Sequence, residues 1–300
     1  MPETVQYPYT EADVSKAFEE ITASLLSGKT AETPPKLLVT AGLQGSGKTY
    51  LLEKHLLPSG RFSNHVRLYL PEYRKKHPKY DEMIQFGVLH AYEHTEAFVR
   101  ELSARIFTEV LGRRLNIIME CAFDSIEFAG IATFASGYQL EAHVVACNLP
   151  FAHLSSIKRG LKSLEHQELE RFVSYSALQS SMNNAMAIVR AFQTLAETCA
   201  GSRLSLYERG LGVLKERTLR AHSSYKPDDK GKLTAVSTDT PYSCSAFGHI
   251  IQRPVHAEQE RDEMIKECHL ALLKAGIHAE QVPAFVYNDL HTYIARYLYR

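Results

Sequence analysis

Apolar residues recur at helical spacing between residues 11 and 28, where Val14, Phe18, Ile21, Leu25 and Leu26 share one face. Gly28 predicts a stop, and Pro34-Pro35 closes the linker that follows. The period then changes. Lys36–Ala41 (KLLVTA) reads as a short buried strand, followed by a glycine-rich turn and a helix from about Lys48 to Leu57. His65–Leu70 predicts a second strand, PEYRKKHPKYDE a polar loop, and 82–112 a largely helical stretch with a break near His94. Leu115–Glu120 reads as a third strand, 125–136 as a helix and Tyr138–Cys147 as a fourth strand. Helical stretches cover 151–166 and 168–200, and Leu204–Glu208 is a fifth strand with 211–216 as its expected hairpin partner. Residues 222–247 are rich in Ser, Asp, Lys, Thr and Pro and read as a loop or linker, before two closing helices at 255–275 and 281–298.

Strands alternating with helices predict an α/β layered domain with a mostly parallel sheet. The expected division is one α/β domain over 1–217, including the helix at 11–28, and a linker with a helical C-terminal extension over 218–300. The purpose of that extension is not readable from its residues.

Composition narrows the function classes. Hydrophobic residues make up 45% of the 300 positions, enough for a buried core. Lys and Arg number 34 and Asp and Glu number 34, so bulk charge argues against a nucleic-acid partner while allowing a local basic site. Five Cys stand at 121, 147, 199, 244 and 268 with no CxxC spacing, which reads as reduced thiols rather than a zinc framework. No apolar run approaches the ~18 residues of a membrane span, and MPETVQYPYTEAD lacks the pattern of an ordinary secretory signal.

The strongest chemical signal is Gly42-Leu43-Gln44-Gly45-Ser46-Gly47-Lys48-Thr49, a full G-x-x-x-x-G-K-[ST] loop between a strand and a helix. Glycines let successive backbone N–H groups turn inward around phosphates, and the helix N-terminus adds its partial positive charge. Lys48 is placed to reach the β- and γ-phosphates, and the Thr49 hydroxyl to ligate Mg²⁺. Gly42, Gln44, Gly45, Ser46, Gly47, Lys48 and Thr49 are the expected ATP-binding residues.

Beyond this loop the sequence resembles the zeta toxin family of bacterial toxin–antitoxin kinases. The resemblance begins at YTEADVSKAFEEITASLLSGKTAETPPKLLV, passes through AGLQGSGKTYLLE and YLPEYRKKHPKYDE, continues in LNIIMECAF and ends in RLSLYERGLGVLKE, covering about residues 8–217. It implies a P-loop kinase that uses ATP and Mg²⁺ to phosphorylate the sugar of UDP-N-acetylglucosamine or a similar nucleotide sugar, blocked by a small helical antitoxin. A dinucleotide acceptor is the variant implied by relatives of this fold in plant-pathogen effectors. The implied location is the bacterial cytoplasm, unless the protein is exported by a signal not readable here.

Residue by residue, Lys48 and Thr49 match the family's loop, and Arg74, His77 and Pro78 match the segment after its second strand. Glu120 matches an acid that in the family helps hold the substrate, so Arg74, His77 and Glu120 are the implied substrate-binding residues. Arg159 and Arg171 match arginines that neutralise the transferring phosphoryl group. Where the family keeps its aspartate base this chain has Pro71, which leaves the adjacent Glu72 as the carboxylate for that role. The family's E-G-T is Glu120-Cys121-Ala122 here, and a further family glutamate falls on Ala104, with Glu101 nearly one turn earlier. These departures keep a second reading open: a nucleotide-binding pseudokinase that acts through a partner. His90 and His94 stand at i, i+4 without a third ligand and read as helix packing. Asp124 reads as a loop carboxylate or a Mg²⁺ ligand, and Tyr287, Tyr293, Tyr297 and Tyr299 read as packing residues of the last helix.

Overall fold

The computed structural model describes residues 7–68, 70–211, 215–254 and 257–299. Helix α1 (Glu11–Leu25) starts in a capping box, with Thr10 accepting from the Asp13 amide and Asp13 from the Thr10 amide. Strand β1 (Lys36–Ala41) is buried from Leu37 onward and runs into the phosphate loop. Helix α2 (Lys48–Leu51) leaves the loop and continues as a π-helical segment (Leu52–Leu56) and a 3₁₀ turn (Leu57–Ser59).

Strand β2 is only His65–Arg67, shorter than expected, and Tyr69 lies outside the described residues. The expected polar loop after it is partly helical: α3 (Leu70–Arg74) and α4 (Tyr80–Ile84) flank a turn. The reason is burial, because Tyr73, Arg74 and His77 all point inward. The long helical stretch divides into α5 (Val88–His94) and α6 (Glu96–Gly112), broken beside His94 as the sequence predicts. After β3 (Asn116–Cys121), a 3₁₀ turn (Ile126–Gly130) and the short α7 (Ile131–Phe134) lead to β4 (Gln139–Ala146). Helices α8 (Leu149–His166) and α9 (Tyr175–Ala196) are capped by Asn148 and Ser174, whose side chains accept from backbone amides.

Strand β5 (Arg203–Glu208) is followed by the main correction to the sequence reading. The stretch read as linker holds β6 (Thr218–Pro227) and β7 (Leu233–Val236), and β6 rather than 211–216 pairs antiparallel with β5. Residues 212–214 of the expected hairpin lie outside the described residues. Helix α10 (Cys244–Gln252) also begins inside that stretch, and α11 (Glu258–Ile277) and α12 (Ala284–Leu298) close the chain.

The strands form one seven-stranded sheet in the order β2-β3-β1-β4-β5-β6-β7. The first five are parallel, and β6 runs antiparallel to both β5 and β7. β1 sits between β3 and β4, so its C-terminal end is the switch point where ligands bind in open α/β sheets. Leu38, Ile118 and Val145 on one face meet Leu51, Leu52 and Leu56 of the helix after the loop. The opposite face carries the larger core, into which α6, α8, α9 and the C-terminal helices pack. All five Cys are free, as their spacing predicts. Among the described residues, no helix is long and apolar enough to cross a membrane.

Candidate nucleotide-binding site

The loop's shape depends on where its glycines stand. Gly45 has φ +85, and a Cβ there would lie 2.1 Å from the Ala152 carbonyl oxygen of α8. Backbone therefore meets backbone between the loop and α8, a contact that only glycine allows. Lys48 at the first turn of α2 is buried. Burial pulls its ammonium below the usual lysine range; Glu120 and Asp124 oppose that shift and Arg159 adds to it. A desolvated cation in this position gains most from an arriving phosphate.

Thr49 Oγ1 donates to Glu120 Oε2 at 2.6 Å. Glu120 sits on β3, beside β1, and its other oxygen lies 3.7 Å from Arg67 Nη2. A hydroxyl and a carboxylate facing each other beside a phosphate loop are hard oxygen donors of the kind Mg²⁺ takes, with water and phosphate completing its shell. The residues present fit that ion, although no group of three acidic, histidine or cysteine side chains placed to hold a metal occurs among the described residues. Glu120, which the resemblance assigns to the acceptor, is thus in direct contact with the phosphate-loop hydroxyl of Thr49.

Past β3, Phe123 adopts φ +63, a left-handed conformation rare for a bulky side chain. Its carbonyl accepts from Asn184 Nδ2 at 3.1 Å, and the turn leaves the next residue, Asp124, within electrostatic reach of Lys48. Cys121, where the family has glycine, is fully buried, and burial pushes its thiol up to about 12, so it belongs to the core.

Arg159 and Arg171 come together across α8 and the segment before α9. Arg159 Nε lies 2.7 Å from Glu170 Oε2, and Arg171 Nη2 lies 3.9 Å from Asp124 Oδ2. Glu170 also accepts from Gln44 Nε2 of the phosphate loop at 3.4 Å, so one carboxylate links the loop to both arginine-bearing elements. The Arg171 guanidinium lies 5.5 Å from the Tyr92 ring centroid, and Arg74 lies 3.6 Å from the same ring.

The expected substrate residues are placed unevenly. Arg74 is 2% exposed and spent on Glu96 (2.6 Å), Thr95 Oγ1 (2.9 Å) and the Tyr92 carbonyl (2.8 Å). His77 is buried against Tyr9 and Phe98, its Nδ1 accepting from the Lys79 amide. Both side chains are thus engaged by neighbouring residues, and the Tyr92 ring lies between the guanidinium groups of Arg74 and Arg171. Glu101 is taken by Arg105 (2.7 Å) and Tyr9 (3.4 Å). Pro71 stands in α3, and Glu72 beside it is exposed with no hydrogen bond or ion pair among the described residues.

Two arginines complete the site that the motif search alone does not find. Arg209 Nη1 donates to the Gly45 carbonyl and Arg217 Nε to the Gly47 carbonyl, each at 3.1 Å. Burial lowers both guanidinium groups, and neither makes an ion pair among the described residues. Arg209 directly follows β5, and strand C-termini in a parallel sheet line the ligand crevice; Arg217 directly precedes β6, whose pairing with β5 brings it alongside.

These parts, in this order along the chain, correspond to a known pattern. The family model described as Zeta toxin matches residues 22–211. The chain belongs to the zeta toxin family. Its sheet order and phosphate loop are the P-loop kinase-like architecture of zeta toxins, extended by the C-terminal helices. A chain of the PezAT chromosomal toxin–antitoxin system of Streptococcus pneumoniae superposes with TM-score 0.61 at 16% identity, covering 93% of this chain and 100% of that one. The AvrRxo1-ORF1:-ORF2 complex with ATP superposes with TM-score 0.60 at 11% identity, covering 94% of this chain and 88% of that one. The same complex with sulphate ions gives TM-score 0.58 at 13% identity, with coverages of 94% and 88%. At these identities the likeness is one of fold. No curated protein sequence matches the chain.

Proposed function

We propose that this zeta toxin family member is an ATP-dependent kinase that transfers the γ-phosphoryl group to a hydroxyl of a nucleotide-type metabolite. A nucleotide sugar resembling UDP-N-acetylglucosamine is the first candidate acceptor, and a dinucleotide the second. The observation that carries this reading is the convergence of Lys48, Thr49, Glu120, Arg159 and Arg171 around one loop, joined by the bridge from Gln44 through Glu170. A site that only stores nucleotide has no need of two further cations held on carboxylates beside the loop.

In the proposed reaction the acceptor oxygen loses its proton to a carboxylate and bonds to the γ-phosphorus as the bond to ADP breaks. Lys48 orients the β- and γ-phosphates, and Arg159 and Arg171 exchange Glu170 and Asp124 for phosphate oxygens. Arg209 and Arg217 hold the nucleotide side of the loop. When bound, Mg²⁺ supplies charge neutralisation beside Thr49 and Glu120. Asp124 is better supported than Glu72 as the proton acceptor, because it lies 3.9 Å from Arg171 and within electrostatic reach of Lys48, whereas Glu72 has no hydrogen bond or ion pair among the described residues. Family membership supports the acceptor class and a small helical antitoxin as protein partner, and the S. pneumoniae neighbour comes from such a system. The bacterial cytoplasm is the proposed location.

One observation favours a second reading. Pro71 leaves no carboxylate at the family's base position, as expected of a pseudokinase that binds nucleotide and acts through its partner. Incubation with ATP·Mg²⁺ and a metabolite extract, read by mass spectrometry, separates the two. The kinase reading expects an acceptor gaining one phosphoryl group, lost in Lys48→Ala, strongly slowed in Asp124→Asn and little changed in Glu72→Gln. ATP binding without any phosphorylated acceptor supports the pseudokinase, and no ATP binding overturns both.

A further inference from the structure

The last two helices lie beyond the stretch matched to the family, yet they grip the element that carries Arg159. Lys158, its neighbour on α8, pairs with Glu267 of α11. About two turns further along α8, Glu165 accepts from Lys274 of α11 at 2.8 Å. From α12, the Tyr293 hydroxyl meets Nδ1 of His153 at 2.7 Å. His153 is a fully buried α8 residue, and its Nε2 lies 2.9 Å from the Val173 carbonyl, with Asp289 Oδ2 at 3.7 Å.

The carbonyl can only accept, so His153 Nε2 carries the proton, and burial favours the neutral ring. Nδ1 is then a lone pair that takes the Tyr293 O–H. The chain of contacts therefore runs from α12 through His153 to the backbone of the irregular segment 168–174, which holds Glu170 and Arg171. The segment is fixed a second time one residue earlier. The Phe172 ring lies over Gly160, where an added Cβ would sit 2.8 Å from Phe172 Cε1. Gly160 follows Arg159 and Phe172 follows Arg171, so the neighbours of the two arginines touch.

We propose that the α11–α12 hairpin is a strut that sets the two phosphate-facing arginines, with Tyr293 and His153 as positioning residues for Arg171. This rests on the kinase reading above. It gives the C-terminal extension a task in phosphoryl transfer without touching nucleotide. Arg171 and Arg159 face the transferring group rather than ADP, so loosening the strut affects the transition state more than the ground state.

The test uses the full chain and compares affinity for ADP·Mg²⁺ with affinity for ADP·Mg²⁺ plus aluminium fluoride, a mimic of the transferring phosphoryl group. Tyr293→Phe keeps the ring and removes the hydroxyl. The expected result is about tenfold weaker binding of the fluoride complex with ADP affinity unchanged. In an Arg171→Ala background, Tyr293→Phe has no further effect, because the two act through one path. Phe172→Leu loosens the same segment at its contact with Gly160 and shows the same split; it serves as the test if Tyr293→Phe does not fold. Equal loss for ADP and the fluoride complex, no loss, or additive loss with Arg171→Ala each overturns the positioning role. Wild-type chain that gains nothing from fluoride overturns the kinase reading itself, and the strut with it.

Discussion

Gly45 tests how the phosphate loop is held. An alanine there places its Cβ 2.1 Å from the Ala152 oxygen and 2.8 Å from the Ser156 nitrogen, where ordinary contact begins at 3.4 Å. Both atoms are α8 backbone and cannot swing aside. Loop and helix must part by more than ~1 Å, and Arg159 moves with the helix; such a displacement costs on the order of 10²-fold in rate. The left-handed conformation costs an alanine about 1–2 kcal/mol, and the overpacking about 1–3 kcal/mol more. In a chain of this size these lower the melting temperature by on the order of 10 °C. Gly28→Ala is the control, because Gly28 has φ +68 with nothing within 4 Å and incurs only the conformational part. Thermal denaturation of both variants, with ATP titration of each, isolates the α8 contact. Gly45→Ala that melts with Gly28→Ala and binds ATP as the wild type does would refute the packing of loop on helix.

Three further outcomes follow from the same geometry. Arg74→Ala empties a buried site and removes the guanidinium bonds to the Tyr92 carbonyl, Thr95 and Glu96, and is expected to cost about 1–3 kcal/mol in urea denaturation; a fully stable variant with only a raised acceptor KM would return Arg74 to the substrate. Burial holds His65 down at about 4, while the unfolded chain takes up that proton near pH 6.5. Stability is therefore complete above that pH and falls as pH drops toward 4, by up to about 3 kcal/mol; melting curves of His65→Phe should show a shallower slope, and an unchanged slope would refute the assignment. Arg217→Ala removes a charged donor from the loop and is expected to weaken ATP binding roughly 10–100-fold in calorimetry, more at low salt than at high.

The alternation of strands and helices through β5 was legible because each element buries one face, and periodicity records that burial. β6 was not. Its inward residues are Ala221, Ser223 and Tyr225, small or polar enough that TLRAHSSYKP reads as a loop until β5 supplies the partner. The segment after β2 misled in the opposite sense. Its charge suggested a surface, but the Tyr92 carbonyl, Thr95 and Glu96 give the Arg74 guanidinium enough partners for burial.

The sequence alone determined the phosphate loop, because its chemistry is local: glycines, a lysine and a threonine at fixed spacing between a strand and a helix. Arg159 and Arg171 were nominated by the segments that resemble the family's, and both carry ion pairs to carboxylates near the loop. Tertiary structure alone brought Glu120 to the Thr49 hydroxyl, Asp124 within electrostatic reach of Lys48, and Arg209 and Arg217 to the carbonyls of Gly45 and Gly47. It also decided that Tyr293 of the last helix bears on His153. These contacts join residues far apart in the chain, and their existence depends on sheet order and helix packing, which no short window of sequence contains.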